Sequence, residues 1–598
     1  MNIFFCITII IMFVCQMLFF KKDEKLSIIK WINLNIVLLM AYNLFFSILM
    51  SFISIKVTLV NLSILNIIFI LILSFKIFQD KKIQKYYIDK VDILATILIF
   101  IIVGIIGIKQ FGPLMDKIQY TVSDSSIHYL ASEIFYEKSE ILYKENLDRV
   151  YLKGIEFLAP GAYVNTGLLF KVFDGIVDQS YFYIIYNIFN LFNLFNLYLA
   201  GMLMYGLLRK DKNQSKILAL IFSIIYMLGY PLNSMLSGFA YLSLGLNFII
   251  GILTIYKEDL SKYYKTFLLF LLDFGIIFTY YYFAPMVYLS IFIQILLENK
   301  PKKEKILKIL YELVIPGIAA VVYFIILQYL KNGNEPVSEY SNLIAMPGPI
   351  HKNIITNILI FIVLSIVYIV KCIKDKKSNL ESTMELTTIT FLIMLFVGSY
   401  FNLVSEYYNY KLYNLLWICV ISVGYEGLES LKIKKVLVYS IISIYFVGIM
   451  CAGIFNQKLV FFDIYRENFH DINEEVRTIT KGEMELLQYY NKNINNRKDN
   501  TMFLGTTYMG KQIWLLAITN NMFNYIDVAY NEKMSDLSQF IESDRKYMVI
   551  FKDDYGTEID ADFDADFNEI DSKIDSEIEK YNLKILKKNE AGMILEKN

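Results

Sequence analysis

Long apolar segments dominate this chain and decide what it can fold into. About fourteen of them fill residues 1 to 455, and most are long enough to cross a hydrocarbon core of about 30 Å. Hydrophobic residues make up 56% of the sequence and charged residues 19%, which is too apolar for a soluble protein. We therefore expect a mainly α-helical, polytopic membrane protein. The predicted spans are roughly residues 2–20, 31–53, 57–78, 91–108, 181–208, 217–233, 239–256, 266–282, 284–297, 309–330, 354–372, 385–404, 410–428 and 435–455.

Charge and cysteine content exclude several classes of protein. The formal net charge is zero and the pI is near 6.9, so no nucleic-acid partner is expected. All five cysteines lie in or at the edge of apolar segments, without paired spacing. A disulfide framework and a zinc site are therefore not expected.

The connections between the apolar segments differ in their lysine content. The lysine-rich connections alternate with connections that carry few positive charges, and they should face the cytoplasm. They are KKDEK, residues 76–90, RKDKNQSK, KEDLSKYYK, NKPKKEK, KCIKDKK and LKIKK. This assignment places three regions on the outer face, namely residues 109–180, residues 331–353 and everything after about residue 456.

One apolar run decides the parity of all later connections. Residues 266–297 would form a single helix of about 48 Å at 1.5 Å per residue, which is longer than a bilayer core. Dividing the run at TYYYFAP, Thr279 to Pro285, keeps every lysine-rich connection on one side. We expect a hairpin there, with two short legs that line a cavity.

The end of the chain has a different composition. We expect residues 1–456 to form a membrane domain and residues 457–598 to form a small extracytoplasmic α/β domain, because short strands and helices alternate there. No glycine-rich phosphate loop is present in the sequence, so nucleotide binding is not expected. The predicted strands are TMFLGT, NYIDVA, KYMVIF and LKILKK, and the predicted helices lie near Lys511–Thr519, Met534–Ser543 and Glu569–Lys580.

The first outer region opens with DSSIHY, which contains an acid and an imidazole one helical turn apart. Asp124 and His128 could hold a divalent metal, or Asp124 could act as a general base with His128 as its partner. The alternative is that Asp124 only caps an interfacial helix. Apolar residues at helical spacing should turn one face of this helix toward the membrane surface. They are Ile127, Leu130, Ala131, Ile134 and Phe135.

A lysine among tyrosines forms the second constellation, at the outer end of a late span. In SEYYNYKLYNLLW, Lys411 follows Tyr407 and Tyr408 closely. An ammonium group at headgroup depth suits the phosphate of a lipid carrier, and aromatic rings can hold a sugar or an isoprenoid chain. The alternative is a lysine that extends toward the headgroups within an ordinary aromatic belt.

Two further acids, Glu156 and Asp273, are candidate functional residues. Glu156 lies in the first outer region, ahead of a Pro160–Gly161 helix start, and is either a solvated loop residue or a substrate-binding group. Asp273 lies inside a span, where an acid is a functional candidate such as a proton site. We favour hydrogen bonding of Asp273 to a neighbouring helix.

Together these features resemble the bacterial GT-C glycosyltransferases, integral membrane enzymes that take a sugar from a polyprenyl-phosphate donor. Ser123, Asp124 and His128 match the acidic motif of the first large outer loop in that family, and Tyr407, Tyr408 and Lys411 match a YYxxK-like segment. Two features depart from the family. Four spans precede the acidic loop, and Tyr163 stands where a histidine often follows the Pro–Gly pair.

The resemblance implies an inverting transferase with a polyprenyl-linked sugar as donor and a cell-envelope glycan or lipid as acceptor. Asp124 would be the general base, or a ligand of Mg²⁺ or Mn²⁺, with assistance from His128. Lys411 would hold the donor phosphate, with Tyr407, Tyr408 and Glu156 as further substrate-binding residues. One alternative is a transporter or flippase of lipid-linked glycans with Asp273 as its coupling site, and another is a non-catalytic envelope scaffold.

Overall fold

A computed structural model gives the fold of the chain. The structure describes residues 2–19, 25–80, 83–113, 117–119, 123–141, 159–174, 181–210, 213–322, 354–375, 379–401, 403–404, 406–431, 435–473, 478–494, 500–504, 509–519, 537–552 and 567–598.

Helices form most of the described part. The first thirteen are α1 (Asn2–Phe19), α2 (Ile28–Phe52), α3 (Leu59–Asp80), α4 (Lys90–Phe111), α5 (Ser123–Lys138), α6 (Gly161–Phe173), α7 (Tyr181–Leu208), α8 (Asn213–Leu228), α9 (Tyr230–Leu236), α10 (Ala240–Lys257), α11 (Lys262–Tyr280), α12 (Ala284–Leu297) and α13 (Lys302–Ile309). A π-helical segment, Leu310–Val314, carries α13 onward to residue 322. Four more helices complete the apolar part: α14 (Ile354–Lys374), α15 (Leu380–Tyr400), α16 (Glu406–Ser430) and α17 (Lys435–Ile454).

Ten runs within the described residues are long and apolar enough to cross a bilayer. One of the ten, Lys262–Leu297, contains both α11 and α12. The chain is thus a polytopic helical membrane protein, as its composition predicts. The predicted spans 410–428 and 435–455 coincide with α16 and α17, which are helices but are not among the ten. The predicted span 309–330 extends beyond the described residues.

The run from residue 262 to residue 297 is a hairpin, as its length predicts. A short 3₁₀ turn, Tyr281–Phe283, separates α11 from α12. The Tyr288 hydroxyl donates to the backbone carbonyl of Asp273 at 3.3 Å, although the two residues would lie more than 20 Å apart along one straight helix at 1.5 Å per residue. Because the chain reverses direction at this turn, the later lysine-rich connections are expected on the same side of the membrane as the earlier ones.

Ion pairs gather the lysine-rich connections at one end of the helical bundle. Each pair joins residues from two different connections or helix ends, so these connections lie side by side. The pairs are Lys30–Glu258, Lys216–Asp89, Lys210–Glu426, Lys257–Glu381 and Lys262–Glu304, at nitrogen–oxygen distances of 2.5–3.2 Å. The Tyr281–Phe283 turn lies at the end of α11 away from Lys262. The start of α16 likewise lies at the end of that helix away from Glu426.

The C-terminal part combines helices with a small sheet. Its helices are α18 (Asp463–Asn473), α19 (Lys481–Asn493), α20 (Met509–Thr519), α21 (Ser538–Glu542) and α22 (Phe567–Tyr581). The four-stranded sheet has the order β5 (Thr501–Leu504), β6 (Tyr547–Phe551), β8 (Gly592–Glu596) and β7 (Lys584–Asn589). β5 runs parallel to β6, and β8 is antiparallel to both β6 and β7. Three predicted strands are confirmed, β8 was not predicted, and NYIDVA lies outside the described residues.

The C-terminal part packs directly against the helical bundle. β3 (Ile118–Gln119), between α4 and α5, pairs with β4 (Thr478–Ile479) of the C-terminal part. Within the bundle itself, β1 (Leu26–Ser27) pairs with β2 (Tyr86–Tyr87). The side-chain amide of Asn468, on α18, donates to the carbonyls of Leu228 and Gly229 at 2.8 Å each. One hydrophobic core therefore extends from the helical bundle into the C-terminal part.

Candidate functional site

Helix α5 carries the acid and the imidazole of the first constellation. The helix begins at Ser123, so Asp124 lies within its first turn and is not the residue that caps it. A carboxylate in the first turn is favoured by the partial positive charge of the helix N-terminus. Asp124 is half-buried, whereas His128, one turn later, is only 4% exposed.

The apolar face of α5 does not rest on the membrane surface, and that prediction is wrong. Leu130, Ala131, Ile134 and Phe135 are all buried, because α5 lies between α6 and α20. Packing against protein on both sides removes this face from lipid. A Cβ atom at Gly167 of α6 would lie 2.6 Å from the Phe135 ring, so α6 approaches α5 closely.

Helix α20 of the C-terminal part covers α5 beside the site. The Trp514 ring lies 4.9 Å from the ring of Tyr129 and 5.3 Å from that of Tyr186, centroid to centroid. Tyr129 directly follows His128 in the chain. The C-terminal part thus holds the helix that bears the candidate acid and imidazole.

Lys411, on the first turns of α16, is buried rather than extended toward the headgroups. It is 3% exposed, and its Nζ lies 2.8 Å from the centroid of the Phe239 ring and 5.8 Å from that of Tyr241. A lysine that reaches for the bilayer surface would keep its ammonium group in water. The burial and the two ring contacts therefore exclude the snorkelling interpretation.

The structure brings the two predicted constellations together. Burial raises the pKa of the Asp124 carboxyl, and the charge of Lys411 offsets part of that rise. Burial, together with the charge of Lys411, lowers the pKa of the His128 imidazole to about 3. His128 is therefore neutral at physiological pH, and Lys411 is the group that acts electrostatically on both Asp124 and His128.

Aromatic side chains from three connections at the end of the bundle away from the lysine-rich connections surround this cluster. The ring of Tyr241, at the start of α10, lies 4.7 Å from the His128 ring and 5.3 Å from the Tyr280 ring. Tyr282, in the hairpin turn, lies 5.3 Å from Tyr408, and its hydroxyl donates to the Tyr408 carbonyl at 3.1 Å. We call Phe239, Tyr241, Tyr280, Tyr282 and Tyr408 the aromatic wall.

The Pro160–Gly161 helix start contributes to the same end of the bundle. A Cβ atom at Gly161 would lie 1.9 Å from Oγ1 of Thr279, the last but one residue of α11. Only glycine allows α6 to approach α11 this closely. Gly161 therefore helps to place Tyr280, the next residue along α11, in the aromatic wall.

Sequence patterns alone did not identify the whole site. Phe239, Tyr241, Tyr280 and Tyr282 were not predicted as site residues, although their clustering in connections predicted to lie on the same side of the membrane as Asp124 is a signal that could have found them. Of the predicted residues, Asp124, His128, Lys411 and Tyr408 lie together. Glu156 and the side chain of Tyr407 lie outside the described residues, so their predicted roles stay predictions.

The described donors do not by themselves suit a divalent metal. Asp124 and His128 provide two ligands, and no group of three or more histidine, cysteine or acidic side chains occurs among the described residues. Lys411, which is not a metal ligand when protonated, acts electrostatically on both potential ligands. The predicted Mg²⁺ or Mn²⁺ site stays a prediction, and no catalytic step is assigned to a metal.

Comparison with known proteins gives a structural likeness only. No protein-family model matches the chain, and no curated protein matches it. Eight chains of solved structures match its fold. One is the oligosaccharyltransferase of Archaeoglobus fulgidus, crystallised in complex with Zn and sulfate, which is 10% identical over 76% of this chain and 68% of that chain, with a TM-score of 0.44. At this level, the likeness carries neither the activity nor the ligands of that enzyme to this chain.

Proposed function

We propose that the chain is a membrane glycosyltransferase of the GT-C type, which transfers a sugar from a polyprenyl-phosphate donor to a cell-envelope acceptor at the outer face of the membrane. The observation that supports the proposal is that the Tyr241 ring lies 4.7 Å from the His128 ring and 5.8 Å from Nζ of Lys411. Lys411 thus lies close to the helix that bears Asp124 and His128 and acts electrostatically on both. An acid, a cation and a wall of aromatic rings are the groups that transfer from a lipid phosphate requires.

The roles of these residues follow from their charge states. Asp124 accepts the proton of the acceptor hydroxyl, since a general base works best when its pKa lies close to the working pH, and burial moves the pKa of Asp124 in that direction. The acceptor oxygen forms a bond to the anomeric carbon while the bond from that carbon to the phosphate oxygen breaks. The configuration is inverted, and the electron pair leaves with the phosphate.

Lys411 supplies the positive charge that the departing phosphate requires, and such charge is effective because the surrounding rings exclude water. His128 is neutral and can exchange hydrogen bonds with the acceptor. The aromatic wall offers flat apolar surfaces for a sugar ring or an isoprenoid unit. Tyr407 and Glu156 are retained as further substrate-binding candidates on the strength of the family resemblance.

The test is the substitution Asp124→Asn in the purified full-length chain, assayed with a panel of radiolabelled polyprenyl-phosphate sugars. Asparagine keeps the size of the side chain but cannot accept the proton, and loss of a general base costs roughly 10²- to 10⁴-fold in rate. We expect transfer to fall at least about a hundredfold at an unchanged protein level.

The matched control is Glu137→Gln, which removes an exposed carboxylate from the same helix and should leave the rate unchanged. Turnover of the Asp124→Asn variant close to that of the wild type would remove Asp124 from the mechanism. Absence of transfer from every donor by the wild-type chain would reject the proposed activity itself.

A further inference from the structure

A pair of carboxyl groups lies inside the helical bundle, away from the candidate site. Asp273 belongs to α11 and Glu312 to the π-helical segment that follows α13, and both are fully buried. The π-helical segment packs against α11, and the charge of Glu312 acts on Asp273. Asp273 lies in the middle of α11, whereas Glu312 lies one turn beyond Lys308, which is paired with Glu298.

Only one of the four carboxyl oxygens of Asp273 and Glu312 has a hydrogen-bond partner among the described residues. Among the described residues, neither carboxyl oxygen of Asp273 has a hydrogen-bond partner, nor does Oε1 of Glu312. The Tyr256 hydroxyl donates to the other Glu312 oxygen at 3.2 Å, while Tyr288 reaches only the backbone carbonyl of Asp273. Among the described residues, the predicted hydrogen bonding of Asp273 to a neighbouring helix is thus present at its backbone carbonyl and not at its carboxyl group.

The cations near the pair have other partners. Lys308, one turn before Glu312, donates to Glu298 at 2.7 Å. Lys265, on α11, donates to the backbone carbonyls of Tyr256 and Glu258.

Helix α2 also packs against α11, and its lysine, Lys30, is paired with Glu258. The titratable groups that interact with the pair are thus Tyr256 from α10, Tyr288 from α12, the acid Glu298, and two lysines, Lys308 and Lys265, that other groups already hold. No described cation forms an ion pair with Asp273 or Glu312.

Two fully buried carboxylates in packed helices cannot both stay ionised without a cation to neutralise them. Neutralisation requires either a bound cation or a proton. Hard cations such as Ca²⁺ take about six to eight oxygen ligands, and the described residues contain no cluster of three or more metal-ligating side chains. A proton needs only one carboxyl oxygen to hold it and one to accept its hydrogen bond.

We propose that Asp273 and Glu312 together bind a proton in the interior of the membrane domain. The π-helical segment supports this assignment, since such segments are frequent at functional sites. Loss of the proton would leave two like charges at the contact between α11 and the helix that follows α13. The ligand of the site is thus a proton, independent of the sugar chemistry proposed above.

The experiment is infrared spectroscopy of the purified full-length chain in lipid at neutral pH, in H₂O and in D₂O. A protonated carboxyl has a carbonyl stretch that is separate from the carboxylate bands and shifts on deuteration. We expect a wild-type band that loses the intensity of roughly one carboxyl group in Asp273→Asn and also in Glu312→Gln. The control Glu304→Gln removes an exposed acid from α13, paired with Lys262, and should leave the band unchanged.

Three results would overturn the proposal. The first is a wild-type chain without a protonated-carboxyl band at neutral pH, which needs no variant to observe. The second is a band that neither Asp273→Asn nor Glu312→Gln reduces. The third is a band that disappears on addition of sodium or potassium chloride at constant pH, because the site would then bind a metal cation in place of a proton.

Discussion

Lys411 links the two parts of the candidate site at the residue scale, because its charge acts on both Asp124 and His128. In the carboxyl of Asp124, burial raises the pKa and the ammonium group opposes that rise. In the imidazole of His128, both effects lower the pKa, to about 3. A neutral imidazole with so low a pKa is a poor proton acceptor at physiological pH. Asp124 is therefore the group suited to general-base work.

The substitution Lys411→Gln should change the pH profile of transfer in a defined direction. Without the ammonium charge, burial alone acts on Asp124 and its pKa rises further. The base form is lost as pH falls through this pKa, so the acid limb of kcat/KM should move to higher pH. Donor affinity should also weaken roughly ten- to a hundredfold, since a charge-assisted contact is worth about 1.5–3 kcal/mol.

A second buried lysine provides the control for this measurement. Lys171, on α6, donates to the Ser139 hydroxyl at 2.8 Å and to the Tyr136 carbonyl, at the other end of α5 from Asp124. Lys171→Gln should leave the acid limb in place. An acid limb that does not move in Lys411→Gln would show that Asp124 is not the titrating base.

At the scale of helices, the contact between α6 and α11 positions one side of the aromatic wall. The substitution Gly161→Ala would place a methyl group 1.9 Å from Oγ1 of Thr279, and overpacking of this kind costs about 1–3 kcal/mol. We expect a lower thermal midpoint, measured by differential scanning fluorimetry in detergent. Adding Thr279→Ala should restore part of the loss.

The control for this contact is Gly104→Ala on α4, where a Cβ atom would meet nothing within 4 Å. Alanine has the higher helix propensity by about 1 kcal/mol, so the midpoint should stay the same or rise. Equal midpoints for Gly161→Ala and the wild type would show that α6 and α11 do not approach as closely as described.

The helices differ in how far the sequence predicts them. The length of the apolar run and the distribution of lysines predict the α11–α12 hairpin, because both can be read directly from the order of residues in the sequence. Periodicity predicts α5, but not that α20 covers it, since that contact depends on residues far away in the sequence. The aromatic wall was missed for the same reason, because Tyr241 and Tyr282 meet the site only after distant helices pack. β8 was missed because its run, GMILE, is short and follows a turn.

At the scale of the whole molecule, the two ends of the helical bundle differ in their chemistry. At one end, the lysine-rich connections are joined by ion pairs such as Lys30–Glu258 and Lys257–Glu381. At the other end lie the candidate site, the hairpin turn and the C-terminal part, which α18 and α20 hold against the bundle. The sequence predicts this division, and the packing agrees with it. Which end faces the cytoplasm rests on the excess of lysine alone.

Cysteine labelling tests that orientation in a variant whose five native cysteines are replaced by alanine. Tyr263, 87% exposed at the start of α11, lies at the lysine-rich end, whereas Lys584, with a side chain 61% exposed, lies on β7 of the C-terminal part. An impermeant maleimide should label Lys584→Cys in intact cells and Tyr263→Cys only after permeabilisation, since the lysine-rich end should stay inside. The reverse pattern would place Asp124 and Lys411 in the cytoplasm, where the proposed acceptors of the cell envelope are out of reach.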